Sequence, residues 1–281
     1  MPLISGISGQ VGSCLTRIFD KYLTIDTDFL NLEDLRYEIL SKKPSIIINP
    51  AAFTAVDLAE TERSVAATVN TDAVRIIAEC AQTLRIPVLH FSTDYVYPGT
   101  GENFYVESDA TGPQNYYGTT KLAGEKFLEK NTAGFFILRT SWVFHSEGKN
   151  FVKTILKLAS EREQLKIIDD QFGSPTSAEF LAKIAHTFAT QNIPSGIYHS
   201  TCSGVCSWFE FASYIVEKAR LLEFSIKTHT IEPIPTASYP TPAKRPLNSR
   251  LNCEKLEKVL NFPRPSWQDE ADKVLATLKN Q

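Results

Sequence analysis

The chain has 281 residues, 43% of them hydrophobic and 22% charged, with 29 Lys and Arg against 32 Asp and Glu for a formal charge of −3. That length is long for one domain and short for two full ones, and the apolar content supports a substantial core, so one large domain with a smaller lobe fits best. The near balance of charge lacks the basic excess expected of a nucleic-acid binder and points to a small-molecule ligand.

The five cysteines, Cys14, Cys80, Cys202, Cys206 and Cys253, are odd in number and irregular in spacing. A disulfide scaffold is therefore not expected, and scattered reduced thiols in a cytoplasmic protein are. Residues 1–6 hold no basic stretch and no long apolar run, so a secretory leader is not expected. No apolar stretch reaches membrane-spanning length.

In chain order, the pattern predicts a strand over 2–5, a glycine cluster, a helix over 11–21 and a short strand over 22–25. A helix over 32–40 precedes the β-branched run Ile46-Ile47-Ile48, which suits a strand buried on both faces. One long helix over 64–84, a strand over 88–92, a helix over 117–130 and a strand over 135–140 follow. Strands alternating with helices predict an α/β fold, a doubly wound parallel sheet of the Rossmann type. After Trp142 the pattern changes. Helices over 151–162 and 178–190 alternate with strand-like segments over 165–168 and 196–199. From Ser207 onward, helices mix with a proline-rich loop holding Pro233, Pro235, Pro240, Pro242 and Pro246. The expected division is a first domain of residues 1–143 and about 177–200, and a smaller C-terminal lobe of about 144–176 and 201–281.

Gly6, Gly9 and Gly12 lie between the first strand and the first helix. In a dinucleotide turn such glycines permit a tight bend, close approach of backbone to a pyrophosphate and close packing of helix on strand. The phosphates would face the helix N-terminus, whose free N–H groups favour anions. A plain glycine-containing loop is the alternative, and the position at the first βα junction favours the dinucleotide turn. Asp26, twenty residues past Gly6, is placed to accept a hydrogen bond from an adenosine ribose hydroxyl. Asp28 is a rival for that role, and a solvated loop acid is the plain alternative for either.

Tyr117 and Lys121 are four apart at the start of a predicted helix and so share a face. A nearby ammonium lowers a phenol's pKa, which would fit Tyr117 as the general acid of a ketone reduction, with Lys121 also able to hold cofactor ribose hydroxyls. Such pairs are common by chance. Here Thr93 ends the preceding strand, where its hydroxyl could polarise a carbonyl and position the phenol. Arg245 and Arg250 are candidates to pair with a pyrophosphate.

Together these residues resemble the extended short-chain dehydrogenase/reductases, and within them the dTDP-4-dehydrorhamnose reductase family. The resemblance covers almost the whole chain and rests on 6–12, 49–57, 92–96, 117–125, 139–143, 170–176 and 245–251. It implies transfer of hydride from NADPH or NADH to C4 of dTDP-4-dehydro-β-L-rhamnose, with Tyr117 protonating O4, in the making of a cell-envelope sugar precursor. It also implies cofactor contacts at Gly6, Gly9, Gln10, Val11, Gly12, Asp26, Asp28, Phe29, Ala51, Ala52, Phe53, Thr54, Tyr117 and Lys121. Substrate contacts are implied at Thr93, Asp94, Tyr95, Tyr117, Trp142 and Arg245. Trp142 offers a flat face to a sugar ring, although a core tryptophan at a strand end reads equally well.

Some members of the family dimerise through a magnesium site built from glutamates. Glu179 matches one ligand position, but Cys14 and Thr277 stand at two others. A hard cation prefers oxygen ligands, so no magnesium site is expected. The expected partner is the dTDP-sugar, with no nucleic acid or membrane, in a monomer or homodimer. Two other readings remain open: a non-catalytic nucleotide-binding regulatory subunit, and a nucleotide-sugar epimerase, dehydratase or reductase of another kind. An intact Thr93, Tyr117 and Lys121 speaks against the first. Asp94-Tyr95 after Thr93, in place of Asp-Glu, speaks against a dehydratase.

Overall fold

The computed structural model describes residues 1–131 and 134–281. Strand β1 (Pro2–Ile4) feeds helix α1 (Gln10–Ile18), and β2 (Leu23–Thr24), α2 (Leu32–Lys42) and β3 (Ile46–Asn49) follow. Helix α3 (Arg63–Ala67) runs through a π-helical turn (Thr68–Asp72) into α4 (Ala73–Leu84). Then come β4 (Val88–Thr93), α5 (Tyr116–Asn131) and β5 (Phe135–Thr140). The rest of the chain begins with β6 (Val143–Phe144), α6 (Phe151–Glu161), β7 (Gln164–Ile168), β8 (Phe172–Gly173) and β9 (Thr176–Ser177). It continues with α7 (Ala178–Thr190), β10 (Gly196–His199), β11 (Cys206–Ser207) and α8 (Trp208–Leu221). It ends with β12 (Thr230–Ile234), a short α9 (Glu254–Glu257) and α10 (Trp267–Lys279).

Six strands form one sheet in the order β10-β5-β4-β3-β1-β2, every neighbouring pair parallel. Parallel neighbours need crossovers, which place helices on both faces and bury the strands twice over. The pleat divides the side chains accordingly. Leu3, Ile47, Val88 and Ile137 join the core under α2 and α4. Ile4, Ile48, Leu89, Phe91 and Leu138 join the opposite core, which continues through α1 and α7 into α6, α8 and α10. The strand order reverses between β1 and β3, and the crevice beyond their carboxyl ends is where such a sheet takes its ligand. Among the described residues, no helix is long and apolar enough to cross a membrane.

Three expectations need correction. Helix α1 stops at Ile18, not at residue 21, because the buried Phe19 turns to an extended conformation (φ −97°, ψ 117°) as the chain heads for β2. The stretch 64–84 is not one regular helix. Its π-turn carries Asn70, whose buried amide reaches the backbone of Phe53. The proline-rich segment contains a strand: β12, with Pro233 inside it, pairs in parallel with β7. A proline is tolerated there because β12 has only one neighbour and its other edge needs no donor.

Candidate active site

The glycine turn closes as the spacing predicts. Gly6 sits at φ +52° against Ala51, a left-handed conformation that favours glycine. A Cβ on Gly12 would overlap the Gly6 carbonyl, so the first turn of α1 can lie on the loop only without a side chain. Gly9 caps α1 with no side-chain hydrogen bond, and the first turn holds no acid. That leaves a helix N-terminus suited to an anion, which fits a dinucleotide pyrophosphate. Gln10 Oε1 accepts from Asn150 Nδ2 at 2.9 Å, tying the turn to the second lobe, while Val11 packs against the core.

Beyond β2, the Asp26 side chain is 81% exposed, 3.6 Å from Lys42 Nζ. Asp28 is committed to its own turn, accepting the Leu30 N–H at 2.9 Å. Phe29 packs inward beneath α2. Beyond β3, Ala51 lies against Gly6 and Phe53 N–H donates to Asn70 Oδ1 at 2.8 Å. Asn70 Nδ2 also reaches Thr120 Oγ1 at 3.1 Å, so one amide fastens this loop to α5.

Helix α5 is started by Asn115, whose Oδ1 accepts the Gly118 N–H at 2.8 Å. Gly118 lies so close to the Tyr95 carbonyl that a Cβ would overlap it. This contact seats Tyr117 beside Tyr95, the rings edge to face with centroids 5.9 Å apart. Burial and the neighbouring Asp94 charge push the Tyr117 hydroxyl well up from its usual range, and the nearby Thr93 hydroxyl pulls the other way. The expected lowering by Lys121 is not what the geometry delivers. Lys121, 1% exposed, directs Nζ to the Phe91 carbonyl at 2.7 Å and to His90 Nε2 at 3.0 Å. Burial lowers its pKa to about 7, against the raising influence of Glu125.

Asp94 is buried and takes hydrogen bonds from Thr93 Oγ1 at 3.1 Å and from Ser249 Oγ. Burial pushes its carboxyl up to about 6. Arg245 pairs with Asp57 at 2.7 Å and lowers the Tyr95 hydroxyl, which burial raises to about 12. Trp142 adopts φ +51°, and its ring stacks on Trp208 with centroids 3.6 Å apart at 13°. One face of the expected sugar platform is thus covered by a second indole, and the ring also touches Gly173. Arg250 lies over the Phe172 ring at 4.5 Å.

The structure places Thr93, Asp94, Tyr95 and Tyr117 side by side, with Lys121 one turn further along α5 and its Nζ directed to His90 and Phe91. Sequence reasoning missed Ser249, Asp57, Asn70, Trp208 and His90. Ser249 and Asp57 lie within the segments that carry the resemblance, but nothing in their spacing marks their partners Asp94 and Arg245. His90 lies inside a strand, and no spacing marks it.

Among the described residues, Cys14, His145 and Glu179 form a cluster of metal-binding size. They do not fit magnesium: a thiol, an imidazole and one carboxylate are a poor set for a hard cation. His145 Nδ1 accepts the Glu147 N–H at 3.0 Å, which puts the ring proton of a neutral imidazole on Nε2, 3.1 Å from Glu179.

The RmlD substrate binding domain family matches residues 1–280. A dTDP-4-dehydrorhamnose reductase of Escherichia coli is 43% identical over 290 aligned positions, covering 98% of this chain and 97% of that protein. A Bacillus subtilis spore coat polysaccharide biosynthesis protein is 35% identical, covering 95% of this chain and 94% of its own. The crystal structure of a Bacillus anthracis dTDP-4-dehydrorhamnose reductase in complex with NADP superposes with a TM-score of 0.91 at 32% identity, covering 98% of each chain. Glycine turn, Thr93, Tyr117 and Lys121 on a parallel sheet, and likeness along the whole chain, lead to one conclusion: the protein belongs to the RmlD substrate binding domain family.

Proposed function

We infer that this protein reduces the C4 ketone of dTDP-4-dehydro-β-L-rhamnose to dTDP-L-rhamnose, using a reduced nicotinamide dinucleotide. The observation that carries this reading is Tyr117, seated edge to face against Tyr95 beside Thr93 and one helical turn from the buried Lys121, by the glycine turn of Gly6 to Gly12. The relatives' names give the substrate. The cofactor supplies hydride to C4 when bound. Tyr117 supplies the proton: its O–H bond breaks, the O4–H bond forms, and a phenolate remains beside Thr93. Thr93, Asp94 and Tyr95 border the reacting ketone, and Trp142 and Arg245 border the rest of the nucleotide sugar. In this reading residues 1–143 and about 177–200 hold the cofactor, and the remaining lobe holds the substrate.

Asp26, with its exposed carboxylate, takes the ribose of the adenosine end. Asp34 and Glu38 line the same groove. Its nearest cation, Lys42, is already held by Glu38 and the Thr24 carbonyl. A ribose phosphate would meet net negative charge there, so NADH is the preferred donor. No magnesium site is assigned. The five buried, unpaired cysteines suit a reducing cytoplasm.

The test mixes purified protein with the 4-keto sugar nucleotide and either dinucleotide while nicotinamide absorbance is followed. Oxidation with a higher kcat/KM for NADH is expected. No oxidation of either would sink the reading.

A further inference from the structure

Behind the site, a line of buried polar side chains crosses three strands of the sheet. Ser5 follows β1, Asn49 ends β3, His90 lies in β4 and Lys121 in α5; the first three are fully buried and the last nearly so. Ser5 Oγ is 2.6 Å from Asn49 Oδ1, Asn49 Nδ2 is 3.0 Å from His90 Nδ1, and His90 Nε2 is 3.0 Å from Lys121 Nζ. Buried polar atoms need partners of the right kind, so the hydrogens along this line can be counted.

Ser5 Oγ accepts the Ala51 N–H at 3.4 Å and donates to Asn49 Oδ1. The Asn49 amide then presents an N–H to His90 Nδ1. A neutral imidazole that accepts at Nδ1 carries its proton on Nε2. That proton faces Lys121 Nζ, and the contact closes only if Nζ offers a lone pair. In this arrangement Lys121 is an amine. One other arrangement satisfies Asn49, His90 and Lys121, at the cost of the acceptor for the Ser5 hydroxyl proton. In it Lys121 is an ammonium donating to Nε2, His90 is protonated on Nδ1, and Asn49 is turned over so that Oδ1 faces His90 and Nδ2 faces Ser5. His90 is uncharged in both, and burial with the neighbouring Lys121 holds its pKa well below the usual value. The two arrangements differ by one proton, and that proton is on Lys121.

We propose that His90 is a positioning residue for the reaction: it holds Lys121 through Nε2, and its tautomer, set through Asn49 and Ser5, follows the charge of Lys121. This rests on the reading of Lys121 as part of the reductase site. The phenolate left on Tyr117 after proton donation gains from an ammonium one helical turn away, even one that makes no direct contact with it, and gains nothing from an amine. The charged state of Lys121 is therefore the productive one, and His90 is its acceptor within the protein alongside the Phe91 carbonyl. The other charged or titrating groups around Lys121 are Tyr117 and Glu125 on its own helix. Glu125 is paired with Arg139 of β5 at 2.6 Å.

Two measurements on the full chain test the proposal. Ring N–H correlation spectra, with the His90 signals identified by their loss in His90→Gln, report its tautomer directly. Expected is a neutral ring whose proton moves from Nδ1 to Nε2 as pH rises through the titration of Lys121. One tautomer throughout, or an imidazolium before Lys121 titrates, overturns the proposal. In the second measurement, kcat is followed against pH. His90→Leu removes an acceptor from a buried ammonium, so the alkaline limb moves down by about one to two pH units. His90→Gln, whose carbonyl can accept from Nζ, returns most of that shift, and KM for the dinucleotide stays within about twofold in both. A limb unmoved in both variants overturns the proposal, because loss of packing alone lowers activity without moving it. If the protein turns over no keto sugar, the proposed function fails at the kinetic measurement, while the tautomer of His90 still decides this proposal.

Discussion

Tyr117 is a phenol that its surroundings keep protonated. Burial and the Asp94 carboxylate both raise it, and only the Thr93 hydroxyl opposes them. A group so biased is a proton donor at neutral pH, and it needs a counter-charge only after the proton has left. Tyr117→Phe keeps the ring and its edge contact with Tyr95 but removes the proton. We expect kcat to fall by roughly two to four orders of magnitude, with dinucleotide affinity by fluorescence titration nearly unchanged; equal turnover would place the proton elsewhere. Asp94 has its own pH signature. Its folded pKa, about 6, lies above the ordinary aspartate value of 3.8 because the carboxyl is buried. Between these values the unfolded chain ionises while the folded one stays protonated, so this group's contribution to stability falls as pH rises through that window. It is then flat above it.

At the level of elements, α5 is fixed by polar contacts as much as by apolar ones. Glu125, 1% exposed, accepts from Arg139 of β5 and from Ser92 of β4. Arg139 also donates to Tyr97, which contacts His199 of β10. Removing one member leaves the other charge buried and unpaired. Glu125→Ala is therefore expected to cost about 3–5 kcal/mol in denaturant unfolding; a loss under about 1 kcal/mol would mean that water replaces the carboxylate. Much of this scale was readable from residue order. The β-branched run at Ile46 to Ile48 and the first glycine turn are local signals, and both appear where expected. The π-turn at Thr68–Asp72 was not readable, because Asn70 is drawn inward by a loop that precedes it by seventeen residues. Strand β12 was hidden by its proline, since its partner β7 lies more than sixty residues earlier. Ser249, which hydrogen-bonds Asp94 across 155 residues, is the same case within the site. Pairings set by tertiary contact leave no periodic trace in the chain.

At the scale of the whole molecule, one face of the sheet shares a single core with α6, α8 and α10, and α1 and α7 pack into it. Cys14 of α1, Glu179 of α7 and His145 of the loop after β6 meet there. The thiol and imidazole are buried and the carboxylate is partly exposed, with His145 Nε2 3.1 Å from Glu179 Oε1, a donor set poorly matched to a hard cation. Dialysis against a chelator is expected to leave the melting temperature within about 2 °C and the turnover unchanged. A drop restored by magnesium would show that the cation is needed after all.

The stacked indoles of Trp142 and Trp208 have an optical consequence. The chain has three tryptophans, and these two lie nearly parallel at 3.6 Å, while Trp267 packs against Phe211 and Tyr214 instead. Transition dipoles held that close couple, so the protein should show a paired positive and negative band in its ultraviolet circular dichroism. The band should vanish in Trp208→Phe. A sugar nucleotide that reaches Trp142 by parting the two rings would erase the couplet in step with binding, whereas one that docks on the free edge would leave it intact. The residue between β5 and β6 thus carries its own reporter of how a ligand reaches the paired indoles.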